Sequence, residues 1–260
     1  MMWLFTWLRG RSSQPLEEMH TPAAIQARLA EATRHNYLGD FVLGALDGVV
    51  TTFAVVAGVT GAELSSAVVL VLGLANLLAD GFSMAAGNYL STKAERQLVE
   101  RMRRQEEHHI HHVPEGEREE IRQIFAKKGF EGELLERIVE VITSNKQVWI
   151  DTMLTDEWGL PLETPHPWKA AGVTFLAFVL VGAVPLVPYA VSLSSPAPAL
   201  FVASLLMTGA AFGIIGAVKG YVLHRPLCAA AVETLVLGAL AAALAYAVGA
   251  ALHNLVPGGA

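Results

Sequence analysis

The chain has 260 residues, 53% of them hydrophobic and only 16% charged, and its mean hydropathy is +0.44. That length could hold one or two soluble domains, but soluble domains carry about a quarter charged residues. A net charge of −6 argues against a nucleic-acid partner, and the single cysteine, Cys228, rules out an internal disulfide framework or a cysteine-only metal cluster.

The charge is concentrated: 27 of the 42 charged side chains fall within residues 92–167. The pattern is that of an all-α membrane protein, with five transmembrane helices and one polar insert between the second and third. Four segments follow: 1–40, a cytosolic N-terminal stretch; 41–91, the first two spans; 92–167, the insert; and 168–260, the last three spans.

The first eight residues are too short for a signal sequence's apolar core and cleavage site. Trp3, Phe5 and Trp7 suit the headgroup level of a bilayer. Residues 22–35 are expected to form a short cytosolic helix.

A hydrocarbon core about 30 Å thick needs roughly 20 apolar helical residues. Residues 41–61 and 66–91 meet that length, and both carry acids. Asp47 lies six residues into the first span, about 9 Å deep at 1.5 Å per residue. Met84 lies seven residues before the end of the second, about 10 Å from the same edge. A link of a few residues makes the two helices neighbours, so Asp47 and Met84 can share one level. Asn76, Asp80, Met84 and Asn88 recur every four residues and form one polar stripe. A charged carboxylate in mid-span costs about 2.5–3.5 kcal/mol, and Asp47, Asp80 and Glu233 have no basic partner in any span. Such acids are either protonated or hold a cation. A carboxylate with a thioether selects first-row transition metals over Mg²⁺ and Ca²⁺, and Fe²⁺ fits. Asp80, Asn88 and Glu233 are candidates for a proton or ion path.

The insert has 16 acids and 11 bases. Residues 91–112 lack Pro and Gly, so the second span should continue as one helix until Val113-Pro114 breaks it. Three further helices are expected at 115–128, 131–145 and 146–158. Glu106 and His109 have the Glu-x-x-His spacing of carboxylate-bridged metal bundles. Glu117 and Glu120 repeat the three-residue step, and Met153 and Glu157 stand one turn apart. His108, His109, His111 and His112 crowd the end of the first helix. Together these residues make the insert a candidate metal-binding helical domain.

Residues 170–190, 198–218 and 227–252 supply the last three spans. Gly44–Gly48 and Gly209–Gly213 have the small-xxx-small spacing of closely packed membrane helices. All 18 basic residues fall in the N-terminal stretch, the insert, Lys169 and the link carrying Lys219 and Arg225. The positive-inside tendency makes that side cytosolic and puts the C-terminus opposite.

The stretches LGALDGVVTTFAVVAG, ANLLADGFSMAAGNYLSTKAE, VPEGEREEIRQIF and WIDTMLTDEWGL resemble the vacuolar iron transporter family of divalent-metal/proton antiporters, over about residues 35–255. The resemblance implies five transmembrane helices, a cytosolic three-helix metal-binding domain, and a homodimer with its pathway at the two-fold interface. By position it implies Asp47 and Met84 as transmembrane ligands, and Glu106, Glu117, Glu120, Met153 and Glu157 as cytosolic ones. Two positions depart from the family pattern. His109 stands where glutamate is usual, and Leu154 replaces the second of a Met-Met pair. Histidine ligates when neutral, so binding through it should weaken below about pH 6.5.

The expected function is proton-coupled export of Fe²⁺ from the cytosol, with Mn²⁺, Co²⁺ and Zn²⁺ as other candidate cargo, and no resident cofactor or enzymatic activity. The membrane is a bacterial cell membrane or a vacuolar one. The rival is a membrane-anchored iron sensor or ferroxidase, in which only the insert acts.

Overall fold

The structure, a computed structural model, describes residues 16–31, 36–192, 196–222 and 226–253. Trp3, Phe5 and Trp7, with Arg9, Arg11, Arg34 and Arg225, lie outside them. Among the described residues all regular structure is helical: α1 (Leu16–Met19), α2 (Pro22–Glu31), α3 (Leu38–Gly61), α4 (Ser66–His112), α5 (Pro114–Lys127), α6 (Gly132–Thr143), α7 (Lys146–Thr152), α8 (Pro167–Gly182), α9 (Val187–Val191), α10 (Ala197–Val222) and α11 (Leu227–His253). Five helical stretches are long and apolar enough to cross a membrane: Leu38–Gly61, Ser66–His112, Pro167–Val191, Ala197–Tyr221 and Ala231–His253. They coincide with the five expected spans. The chain divides into two compact units, one of Met1–Asn88 with Trp168–Ala260 and one of Tyr89–Pro167.

In the first unit, close packing rests on glycine. A Cβ on Gly48 would stand 2.5 Å from the Phe178 carbonyl oxygen, and one on Gly44 would overlap the carbonyl of Thr174. Gly44 and Gly48 are one turn apart, so α3 lies directly against α8, the small-residue contact expected in lipid, where dispersion replaces the hydrophobic effect. Gly209 and Gly213, of equal spacing, meet nothing within 4 Å. Phe53, Val56 and Val59 of α3 form a buried cluster with Val69, Leu186, Tyr189 and Leu200. Ala45 and Val49 form another with Ala177, Ala211, Phe212 and Ile215.

The third span is not one uninterrupted α-helix. Between α8 and α9 a 3₁₀ turn covers Val184–Leu186. Pro185 and Pro188 lack the N–H that would continue the ladder. The buried Ser204 hydroxyl of α10 donates to the Pro185 carbonyl at 2.7 Å. A neighbouring helix thereby satisfies backbone freed by the break, as a bilayer interior requires.

In the second unit, Val113 and Pro114 end α4 and begin α5, with Pro114 in the first turn. Gly129 and Gly132 take positive φ (94° and 59°) in the turn that follows. The Asn145 side chain caps α7 by accepting from the backbone N–H groups of Gln147 and Val148. Ile121, Val139, Ile142, Trp149 and Met153 make one buried core; Met102, Ile150 and Leu154 make a smaller one.

Candidate metal site

In the second unit, Glu106 and His109 share one face of α4 because a three-residue step is nearly one turn. Pro114 redirects the chain so that Glu117, in the first turn of α5, returns to that face. Ligand atoms of Glu106, His109 and Glu117 all lie within 4.8 Å of one another. His109 Nδ1 stands 3.3 Å from Glu117 Oε1. The two acids are almost wholly buried, at 1% and 4% exposure. The Oε2 atoms of Glu106 and Glu117 are buried with no hydrogen-bond partner. Two orphaned carboxylate oxygens beside an imidazole form a donor set that a divalent cation satisfies.

Glu120 and Glu157 are exposed and add negative charge to the cluster. Burial first, and then the charges of Glu120, Glu106 and Glu157, push Glu117 up to about 8. Burial, Glu106 and Glu120 push Glu157 up to about 7. Near neutrality the metal-free cluster therefore holds protons that a metal would displace.

Met153 is fully buried in the apolar core with Ile121 and Trp149, and Leu154 is fully buried against Met102 and Ile150. Residues 153–157 form a single π-helical turn, a local widening frequent at functional sites. The turn ends where Gly159 takes φ +63.

Trp158, which sequence reasoning missed, donates its indole N–H to Glu106 Oε1 at 3.0 Å. A charge-assisted bond of this kind orients the carboxylate for a ligand. The only signal for it was an aromatic residue next to Glu157, too weak to single out.

In the first unit, Asp47, Asp80 and Met84 are half-buried, and Asp47 lies within electrostatic reach of Asp80. The Thr51 hydroxyl donates back to the Asp47 carbonyl at 2.7 Å. Asn76 Nδ2 is buried with no partner. The Asn88 amide donates to Asp40 Oδ1 and to Thr174 Oγ1, both at 2.7 Å, tying α3, α4 and α8 together.

Glu233 departs from the expectation of an unpartnered acid. Lys219, just beyond the apolar core of α10, stands 3.4 Å from its Oε2. The pairing is a tertiary contact between α10 and α11, so counting bases within spans could not show it.

The sequence profile of the VIT family matches residues 38–250. The chain is 34% identical over 232 residues to a protein of Eucalyptus grandis named vacuolar iron transporter 1, covering 88% of this chain and 92% of that protein. It is 37% identical over 210 residues to the Arabidopsis thaliana vacuolar iron transporter 1, covering 80% and 82%. A Toxoplasma gondii vacuolar iron transporter is 34% identical over 232 residues, covering 86% and 77%. With a family profile spanning nearly the whole described chain and relatives of this identity along most of its length, the chain belongs to the VIT family.

Proposed function

We propose that this chain exports Fe²⁺ from the cytosol across a membrane in exchange for protons. Members of its family are transporters rather than enzymes, and the relatives are named for iron and for the vacuole. The observation that carries the reading is the pair of acids Asp47 and Asp80, inside candidate spans and within electrostatic reach of each other. Among the described residues neither has an ion pair. The cost of an unpaired charge in a span makes each of them a functional group by default.

In this reading, Glu106, His109, Glu117, Glu120, Met153 and Glu157 capture the ion on the cytosolic side. Asp47 and Met84 then hold it within the bilayer, at the two-fold axis of a homodimer. A dimer fits because one Asp and one Met leave an ion short of ligands. Moving a 2+ ion outward against 100 mV costs roughly 4.6 kcal/mol, twice the single-charge figure. Exchange for two protons cancels that electrical cost and leaves the pH gradient as the driving force. Mn²⁺, Co²⁺ and Zn²⁺ meet the same donor set and are secondary cargo. The pH gradient operates across either a cell membrane or a vacuolar one.

The test is uptake of Fe²⁺ into sealed proteoliposomes with and without an imposed pH gradient. Asp47→Ala should abolish gradient-driven flux, and full flux in that variant refutes the role. A ferroxidase or sensor reading is favoured by the Glu106–His109–Glu117 cluster alone. It wins if the full chain oxidises Fe²⁺ while moving no metal.

A further inference from the structure

The run His108, His109, His111 and His112 is only partly used by the carboxylate cluster. His109 turns to Glu117, whereas His108 and His112 are exposed and lie one helical turn apart on α4. Their ring centroids are 4.0 Å apart. His112 Nδ1 stands 2.8 Å from the His108 carbonyl oxygen. A carbonyl can only accept, so His112 Nδ1 carries the proton of that bond and Nε2 keeps its lone pair. This is how proteins fix the tautomer of a metal-binding imidazole. Glu107, the nearest acid in sequence, is engaged elsewhere, 2.5 Å from Lys146. His111 lies beside the pair, 4.9 Å from His112 by ring centroids.

We infer that His108 and His112 form a second metal site, separate from the carboxylate cluster, that takes the imidazole-seeking ions Cu²⁺, Ni²⁺ and Zn²⁺. Two imidazoles that bind one ion in cis positions at about 2.0–2.1 Å bring their ring centroids to about 4.5 Å, close to the 4.0 Å of this pair. The site offers two nitrogens, with water completing the shell, and no carboxylate. Divalent affinity at such nitrogen sites rises from Mn²⁺ and Fe²⁺ to Cu²⁺, so the pair holds Cu²⁺ best. One helix thus carries two donor sets of different chemistry, within a single turn of each other. The inference does not depend on the transport reading, because it concerns binding alone.

The test uses the full-length protein in detergent with Cu²⁺ as probe, read by titration calorimetry and by the nitrogen hyperfine structure of the Cu²⁺ paramagnetic resonance. The wild type and Glu106→Gln/Glu117→Gln should both show a tight equivalent with nitrogen coupling. His108→Ala/His112→Ala should lose that equivalent, while Mn²⁺ binding stays at the wild-type level. Both histidines are exposed, so the alanine chain should keep its helical circular dichroism, which is checked alongside. Unchanged Cu²⁺ stoichiometry and hyperfine pattern in His108→Ala/His112→Ala overturns the site. Loss of the Cu²⁺ equivalent in the glutamine variant, or in His111→Ala alone, overturns it too.

Discussion

Metal binding at the Glu106–His109–Glu117 cluster should expel a countable number of protons. Glu117 stands at about 8 and Glu157 at about 7. At pH 7 the first is about nine-tenths protonated and the second about half, so a metal that requires both ionised releases about 1.4 protons. From these two carboxyls alone, the count approaches about 1.9 at pH 6 and falls to about 0.6 at pH 8. Since the logarithm of the binding constant changes with pH by the number of protons released, affinity should rise roughly 50-fold from pH 6 to 7 and about tenfold from 7 to 8. The direction for the metal-free fold is the opposite. A carboxyl held above its ordinary value of 4.5 favours the folded state below that value. That contribution is lost as pH rises through 7 and then 8. Metal-free protein should therefore exchange the amides of α5 faster at pH 8.5 than at pH 6, after correction for intrinsic rates. The assay for the proton count is calorimetric titration of Mn²⁺ into the full chain, in buffers of different ionisation enthalpy. Glu117→Gln should reduce the release at pH 7 to about 0.5. Binding that is independent of buffer and of pH between 6 and 8 would refute the electrostatic account of this cluster.

Other consequences can be checked separately. Trp158→Phe removes the indole donor to Glu106; a hydrogen bond to a charged group is worth about 1.5–3 kcal/mol. Mn²⁺ affinity should fall at least tenfold in calorimetry with the helical content unchanged, and an unaltered affinity means the bond does not position the ligand. Gly48→Val places a methyl-bearing Cβ 2.5 Å from the Phe178 carbonyl oxygen. α3 and α8 must then separate, at a cost of about 1–3 kcal/mol or more, lowering the melting temperature in detergent; a wild-type melting curve would contradict the packing. Glu63 holds φ +57 in the turn after α3, where a left-handed residue costs about 1–2 kcal/mol. Its ion pair with His253 is long, at 3.8 Å, and exposed. Glu63→Gly should therefore raise the melting temperature modestly, and a drop would mean that the His253 contact outweighs the backbone strain.

Much of the fold was legible because a bilayer imposes crude rules. The apolar lengths and the Val113-Pro114 break each follow from a local property, and each appears in the helices. Gly44 and Gly48 could be read as a contact face, since their spacing matches a helical turn. Gly209 and Gly213 have the same spacing without a partner among the described residues, so spacing alone does not select a face. The break at Val184–Leu186 was within reach, because Pro185 and Pro188 stand in the sequence; an all-apolar composition concealed it. In the site, Glu106 and His109 were legible as one pair by spacing and Glu117 as part of another with Glu120, but that Glu117 returns to the face of Glu106 and His109 is seen only in the structure. Trp158 and the Lys219–Glu233 pair were not, because each joins positions on different helices that no periodicity relates.

Glu233 and Asp47 meet different electrostatic surroundings. Glu233 Oε2 stands 3.4 Å from the Lys219 ammonium, so a fixed cation lies beside its charge. Asp47 and Asp80 face the reverse situation, since the charge that acts on Asp47 is another carboxylate's. Two like charges in a medium of low dielectric repel strongly unless something positive comes between them. Among the described residues no lysine or arginine does so. On the transport reading proposed above, the compensating charge arrives from outside the fold, as protons or as a metal ion, and leaves again. A protein that needed these aspartates only for packing would have no reason to leave that charge to a diffusible ion, whereas a carrier that exchanges one cation for another requires a site of this kind.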